Sequence, residues 1–214
     1  MPALEGFKDG TNIFIEFIDH INKNRLRVLE IGSRLVSPGP GGESKRKLFP
    51  EAQCYVGFDY YRDSNTNITG DCHRLSQYFG GQRFDAIFSV AVLEHLAMPW
   101  VVAIEIVKLL EINGVTFHCV PQSWPLHETP WDFWRFSEES LRVLFSPAIG
   151  FEVIETGYFE PVHMKEFPSQ LGFGGVAIYA KKVREPDFSR FKWDVTIEEL
   201  LGSNCVYPEP KQKA

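Results

Sequence analysis

The first clear pattern along the chain has a helical period. Ile13, Phe17 and Ile21 recur every fourth residue, as do Phe14 and Ile18, with Glu16, Asp19 and Lys23 between them. An apolar stripe of that spacing predicts an amphipathic helix over 12–23. The pattern then changes. Leu26–Ile31 is a β-prone run stopped by Gly32, and Cys54–Phe58 is a second run ending at Asp59. A short strand is expected over 66–69 and a longer one over 86–90. A helix is predicted from Pro99, because proline is tolerated in a first helical turn. Val102, Ile106 and Leu109 mark its apolar face, and Glu105, Lys108 and Glu111 its polar face. Asn113-Gly114 supplies its stop. Further strands are expected over 115–120, 151–156 and 176–181. Between them Ser137 is placed to cap a helix, with Glu138 and Glu139 in the positive first turn.

Strands that alternate with helices predict βαβ units, an α/β fold and a mainly parallel sheet. The last two strands follow one another without a long helix, which predicts a final antiparallel hairpin. In such sheets ligands bind beyond the carboxyl ends of the strands. The residues to inspect are therefore Glu30 and Gly32, Asp59, Asp71, Ser89 to His95, and Pro121 onward.

A chain of 214 residues is expected to form one domain over 1–183, followed by a tail, 184–214, with one short helix near 196–201. Twenty-two basic against 28 acidic residues leave a net charge of −6. That balance excludes a generic binder of nucleic acid or of an anionic membrane. Lys45-Arg46-Lys47 reads as a solvated helix face, within a short helix over 43–48 that follows a glycine-rich run Ser37–Gly42. No apolar run approaches the ~18 residues of a spanning helix, and the first residues lack a signal-peptide pattern. Cys54, Cys72, Cys119 and Cys205 form no Cys-x-x-Cys, so reduced thiols in a cytoplasmic protein are expected.

Several aromatic residues gather in one proline-broken loop: Trp124, Trp131, Phe133, Trp134 and Phe136. They form either a lid beside the ligand edge or a permanent apolar cover. Other candidates carry two readings as well. Asp59 is either a turn residue or an acceptor for ribose hydroxyls, and Asp71 is either a helix cap or a reader of an adenine edge. His95 is either a base facing substrate or a structural histidine, and Glu94 either fixes that histidine or lies at a helix start. His118, His127 and His163 match no metal-ligand spacing, and no metal is expected.

The order Glu30-Ile31-Gly32, Asp59, Gly70-Asp71-Cys72-His73, then Phe84–Val90 and Leu93-Glu94-His95, resembles the class I S-adenosylmethionine-dependent methyltransferases. It looks most like their broad type 11 group, which has Leu-Glu-His after the fourth strand. The resemblance covers about residues 25–182. It implies a Rossmann-like, mostly parallel seven-stranded sheet with helices on both faces and a C-terminal antiparallel hairpin. It implies S-adenosyl-L-methionine as cofactor, with Glu30, Gly32 and Ser33 at the methionine end and Asp59 and Tyr60 at the ribose. Asp71, Cys72 and His73 would lie at the adenine, and Ser89 and Val90 on the floor beneath the sulfonium. Arg34 departs from the pattern, because it stands where a second glycine is expected and narrows the approach.

The segment Pro130–Ser137 is similar to one in relatives found with sugar- and polysaccharide-modifying enzymes. The implied reaction is methyl transfer to a small-molecule acceptor, at a hydroxyl of a sugar, glycan or natural product. His95, His127 and Asp132 are the candidate bases. Glu94, His95, Trp124, Trp131 and Arg135 are the candidate acceptor contacts. A homo-oligomer is compatible with the aromatic tail residues Phe188, Phe191 and Trp193. The rival readings are a non-catalytic binding protein on the same fold and a nucleotide-linked oxidoreductase. Gly32-Ser33-Arg34 opens no Gly-x-Gly-x-x-Gly, which weakens the last.

Overall fold

The computed structural model describes residues 7–36, 44–163 and 171–202. Seven strands form one sheet in the order β3-β2-β1-β4-β5-β7-β6. They are β1 (Arg27–Ile31), β2 (Cys54–Asp59), β3 (Ile68–Thr69), β4 (Phe84–Val90), β5 (Leu110–Pro121), β6 (Phe151–His163) and β7 (Leu171–Lys182). The first five are parallel, and β7 runs antiparallel to both β5 and β6. The helices are α1 (Gly10–Asn24), α2 (Pro99–Leu109), α3 (Glu138–Leu144) and α4 (Ile197–Leu201).

The period-two pattern of the strands splits the core. Val28, Ala86, Phe88, Val115, Phe117 and Tyr179 meet the stripe Ile13, Phe17 and Ile21 of α1 on one face. Leu29, Ile31, Ile87 and Val120 meet Val102, Ile106 and Leu141 of α2 and α3 on the other. Helices thus cover both faces. The N-cap of α1 is Asp9, whose carboxylate accepts from the Thr11 amide. Ser137 and Ser140 form a reciprocal capping box on α3. The strand order reverses between β1 and β4, which opens a crevice beyond their carboxyl ends.

Two expectations for α2 are corrected. The helix ends at Leu109, and Leu110 already pairs with Phe84 of β4. Asn113-Gly114, expected as the helix stop, lies inside β5. There the register jumps and Asn113 takes a left-handed φ of 68°. The stop is tertiary: the buried Lys182 ammonium of β7 donates to the carbonyls of Val107 (2.8 Å) and Leu110 (2.7 Å). Glu105, expected on the polar face, is buried. It accepts from the Ser76 amide (2.8 Å) and hydroxyl (2.6 Å), which ties α2 to the 3-10 turn Cys72–Tyr78.

The basic run 45–47 is more than a solvated face. Lys45–Leu48 is a 3-10 turn capped by Ser44, and Arg46 donates to the Tyr55 carbonyl and the Asn67 side chain. The glycine-rich run 37–42 and Cys205 lie outside the described residues. In the tail, Phe188 and Phe191 pack on the core beside α2, Ile197 packs on Ala97 and Met98, and Trp193 meets Trp100 edge-on. No helix among the described residues is long and apolar enough to cross a membrane.

Candidate functional site

A cavity of about 410 Å³ opens at the carboxyl ends of β1, β2 and β4, within the range of small-molecule sites. One wall comes from the strand ends. Gly32 turns the chain at φ 77°, and a Cβ there would stand 2.2 Å from Val92 Cγ2. Only glycine lets the two loops approach so closely. Asp59 and Tyr60 follow β2, and Gly70, Asp71 and Cys72 follow β3. The opposite wall is Ala91, Val92, His95 and Leu96 after β4, with His127, Glu128 and Trp131 from the loop after β5. Ala91 and Glu128 hold left-handed φ values of 54° and 49° without being glycine, local strain of the kind that gathers at ligand sites.

Asp59 is held by two amides. Its Oδ2 accepts from Arg34 N (2.9 Å) and its Oδ1 from Tyr61 N (3.0 Å). Burial is the main influence on its pKa and raises it, while these amides oppose the rise. Asp71 caps the 3-10 turn and lines the cavity, so both readings of it hold in the geometry. Burial opposes its ionisation, yet the bonds and charge of His73 and Arg74 hold it below the usual carboxylate range.

Four expected cofactor contacts lie outside the lining. Glu30 is buried beneath it, accepting from the Tyr55 hydroxyl (2.6 Å) and the Asn65 amide group (3.1 Å), with Lys45 at 3.6 Å. Burial raises its pKa. Ser33 bonds with Thr66 (3.1 Å). His73 is a strut: its Nδ1 meets Asp71 at 2.6 Å and its Nε2 accepts from the Met98 amide. Ser89 turns into the sheet and bonds His118 Nδ1 at 2.7 Å, so Val90 alone of that pair lines the floor.

The acceptor side is likewise sorted by the fold. His95 and His127 meet edge-on with ring centroids 4.8 Å apart. Burial lowers the His95 pKa, so its imidazole is uncharged at neutral pH. Asp132 does not line the cavity. Both its oxygens accept from Arg135 (2.6 and 2.7 Å), which holds the carboxyl far below the usual range and makes it a poor base. Arg135 is accordingly committed to Asp132 and to the carbonyls of Trp124 and Pro125. Trp124 is exposed on the surface, whereas Trp131 is buried against the cavity. Glu94 is fully buried behind His95, and burial pushes its carboxyl up to about 8.

The aromatic loop is pinned in place. The amides of Phe133 and Trp134 donate to the Glu94 carbonyl, and that of Phe136 donates to Pro121. The side chains divide between the two expected roles: Phe136 joins the main core, Phe133 packs on the Met98 cluster, and Trp131 faces the cavity.

Arg34, read above as narrowing the approach, lines the cavity, as does Glu128 of the aromatic loop; Lys45 and Tyr61 line it without having been expected there. Tyr61 follows Tyr60 directly, a signal the sequence carried. Lys45 reaches the cavity only through loop tertiary structure. Arg34 lies over the Tyr61 ring at 5.1 Å, where its guanidinium takes space a glycine would leave open.

No protein-family model matches the chain, and no curated protein matches it. Solved structures do. An S-adenosylmethionine-dependent methyltransferase from Archaeoglobus fulgidus aligns with TM-score 0.59 at 16% identity, over 80% of this chain and 93% of that one. The 1,6-didemethyltoxoflavin N1-methyltransferase of Burkholderia thailandensis, solved with S-adenosylhomocysteine, aligns with TM-score 0.54 at 16% identity, over 82% and 79%. The chain has the class I S-adenosylmethionine-dependent methyltransferase fold. The 4+2 cyclase SpnF shares that fold at TM-score 0.54 and 14% identity, over 84% of this chain and 85% of that one. At such identities the likeness speaks for architecture, and activity has to be argued from the site.

Proposed function

We propose that the protein transfers a methyl group from S-adenosyl-L-methionine to a small-molecule acceptor, at a hydroxyl of a sugar, glycan or natural product. The observation that carries this is the single cavity in which Gly32, Asp59 and Asp71 face His95, His127 and Trp131. The cofactor supplies a methyl group made electrophilic by a positively charged sulfur. The chain has to bind, align and keep water out. Bare Cα at Gly32 allows close approach of the methionine end. Asp59, oriented by the Arg34 and Tyr61 amides, keeps lone pairs for the ribose hydroxyls. Asp71 and Cys72 stand where an adenine edge would be read.

Trp131 and Val90 give apolar cover, and alignment of the reactants is worth roughly 7–11 kcal/mol. His95 and His127 stand nearest the acceptor space, where a proton has to be taken from a hydroxyl. Cys54, Cys72 and Cys119 as free thiols fit a cytoplasmic setting, and the net charge of −6 argues against a nucleic-acid acceptor.

Calorimetry with S-adenosylhomocysteine tests the cofactor half. Replacing Asp59 by Ala removes two bonds to a charged acceptor, each worth roughly 1.5–3 kcal/mol. At least a tenfold loss of affinity is expected, with the thermal transition retained. Equal affinity in the variant, or preference for a nicotinamide dinucleotide, overturns the assignment. Arg34 in the lining favours one second reading, a binding protein of the same fold that does not turn over. Tight adenosylhomocysteine binding with no methylation across a panel of hydroxyl acceptors would select it.

A further inference from the structure

We infer that Glu94, His95 and His127 form a binding site for a divalent transition-metal ion of the zinc class on the acceptor side of the cavity. Glu94 is 0% exposed, and neither of its carboxylate oxygens has a hydrogen-bond partner among the described residues. A buried carboxylate without partners is expensive, and such groups are normally paired or bound to metal. The Nε2 atoms of His95 and of His127 each stand 3.8 Å from Glu94 Oε1. That is too long for a hydrogen bond and close to the spacing of ligands around one ion at about 2.0–2.2 Å. Candidate ligand atoms of the three residues lie within 4.8 Å of one another, so a shift of about half an ångström closes the site.

The outer contacts are those a metal-ligating histidine needs. His95 Nδ1 is 2.8 Å from the Trp131 carbonyl, and His127 Nδ1 is 3.1 Å from the Pro125 carbonyl. A carbonyl only accepts, so each Nδ1 carries the hydrogen and each Nε2 keeps the ring's lone pair toward Glu94. Backbone carbonyls that fix the tautomer in this way are the usual second layer around ligating imidazoles. Asp132 adds negative charge behind His127, with Oδ2 3.4 Å from Nδ1.

Two imidazoles and one carboxylate leave coordination positions open, as in sites where a metal takes a substrate oxygen. His95 and His127 both line the cavity, so the open side faces it. Resting on the methyl-transfer reading above, the ion would hold the acceptor oxygen, which selects hydroxyl acceptors that chelate, such as vicinal diols or catechols. The two histidines would then be ligands rather than proton acceptors.

The test uses the full chain, stripped with chelator and dialysed, with zinc(II) and manganese(II) as probes by calorimetry and elemental analysis, and cobalt(II) by visible absorption. One equivalent is expected to bind the native chain and to raise its melting temperature. His127→Ala and Glu94→Gln are each expected to weaken that binding by about a hundredfold or more, while still binding S-adenosylhomocysteine like the native chain. No stoichiometric metal on a native chain that binds S-adenosylhomocysteine overturns the site and leaves the methyl-transfer reading standing. Equal uptake by both variants places any metal elsewhere and also overturns it. Metal bound at these residues by a chain that ignores S-adenosylhomocysteine keeps the site and removes the cofactor reading.

Discussion

His118 sits in the middle of β5 with both ring nitrogens engaged. Thr116 donates its hydroxyl to the Ile87 carbonyl, so it accepts from His118 Nε2 at 2.7 Å. Nδ1 is left to accept from Ser89 at 2.7 Å. The ring stacks on Phe145 at 4.5 Å. Burial drives its pKa down to about 3, against about 6.5 in an unfolded chain. The unfolded state therefore takes up a proton that the folded state refuses. Stability from this residue is complete above pH 6.5 and is lost as pH falls from there toward 3. Between pH 7 and pH 5 the loss is about 2 kcal/mol. Urea midpoints at the two pH values should show it, and His118→Gln should be less stable at pH 7 but flatter with pH. A variant as pH-sensitive as the native chain would refute this account. Gly32 makes the complementary point, because its role rests on what a side chain would strike rather than on any group it carries.

At the scale of elements, the 3-10 turn Cys72–Tyr78 links the cavity to the core. Asp71 begins it at the cavity, and Ser76 is held from behind by Glu105 of α2. A helix face that reads as polar in sequence is thus a buried brace. Glu105→Ala leaves the Ser76 amide without its acceptor, at a cost of about 1–3 kcal/mol. Because the turn begins at Asp71, S-adenosylhomocysteine affinity should fall several-fold as well. Urea denaturation and calorimetry on the same variant check both, and a destabilised variant with native affinity would uncouple brace from cavity. The loop after β5 behaves in the same composite way, part core through Phe136 and part cavity wall through Trp131.

Across the whole molecule, one buried lysine joins the antiparallel end of the sheet to the helical layer. Lys182 is 0% exposed and links β7 to the carboxyl end of α2, with Glu185 at 3.0 Å as its counter-charge. Lys182→Met keeps the apolar stem and removes the donor, leaving the Val107 and Leu110 carbonyls without this partner. A global loss of about 2–3 kcal/mol is expected, since a buried acceptor is costly to strand. S-adenosylhomocysteine affinity should be unchanged, because Lys182 lies away from the cavity. Loss of cofactor binding without loss of stability would contradict a purely structural role.

The periodic apolar positions by themselves determined the layers. Fourfold spacing at Ile13, Phe17 and Ile21 specified α1, and the β-prone run Leu26–Ile31 stopped by Gly32 specified a strand, which the fold buries on both faces. Chain order then placed Gly32, Asp59 and Asp71 at strand ends, because parallel strands bring every carboxyl end to the same edge. The other side of the cavity was legible only in part: His95, His127 and Trp131 were named as acceptor-side candidates and line it, but which side chains meet there was not readable. Glu94 and His95 are neighbours in sequence, but His127 joins them only through the turn of the loop after β5, and no local spacing encodes that meeting. The partition of Ser89, His73 and Asp132 away from the cavity was equally hidden. Each is claimed by a hydrogen-bond partner from another part of the chain or by an ion pair set by loop geometry. Local propensity reports which elements form and in what order. Only the packed structure decides which polar groups satisfy one another and which are left facing a ligand.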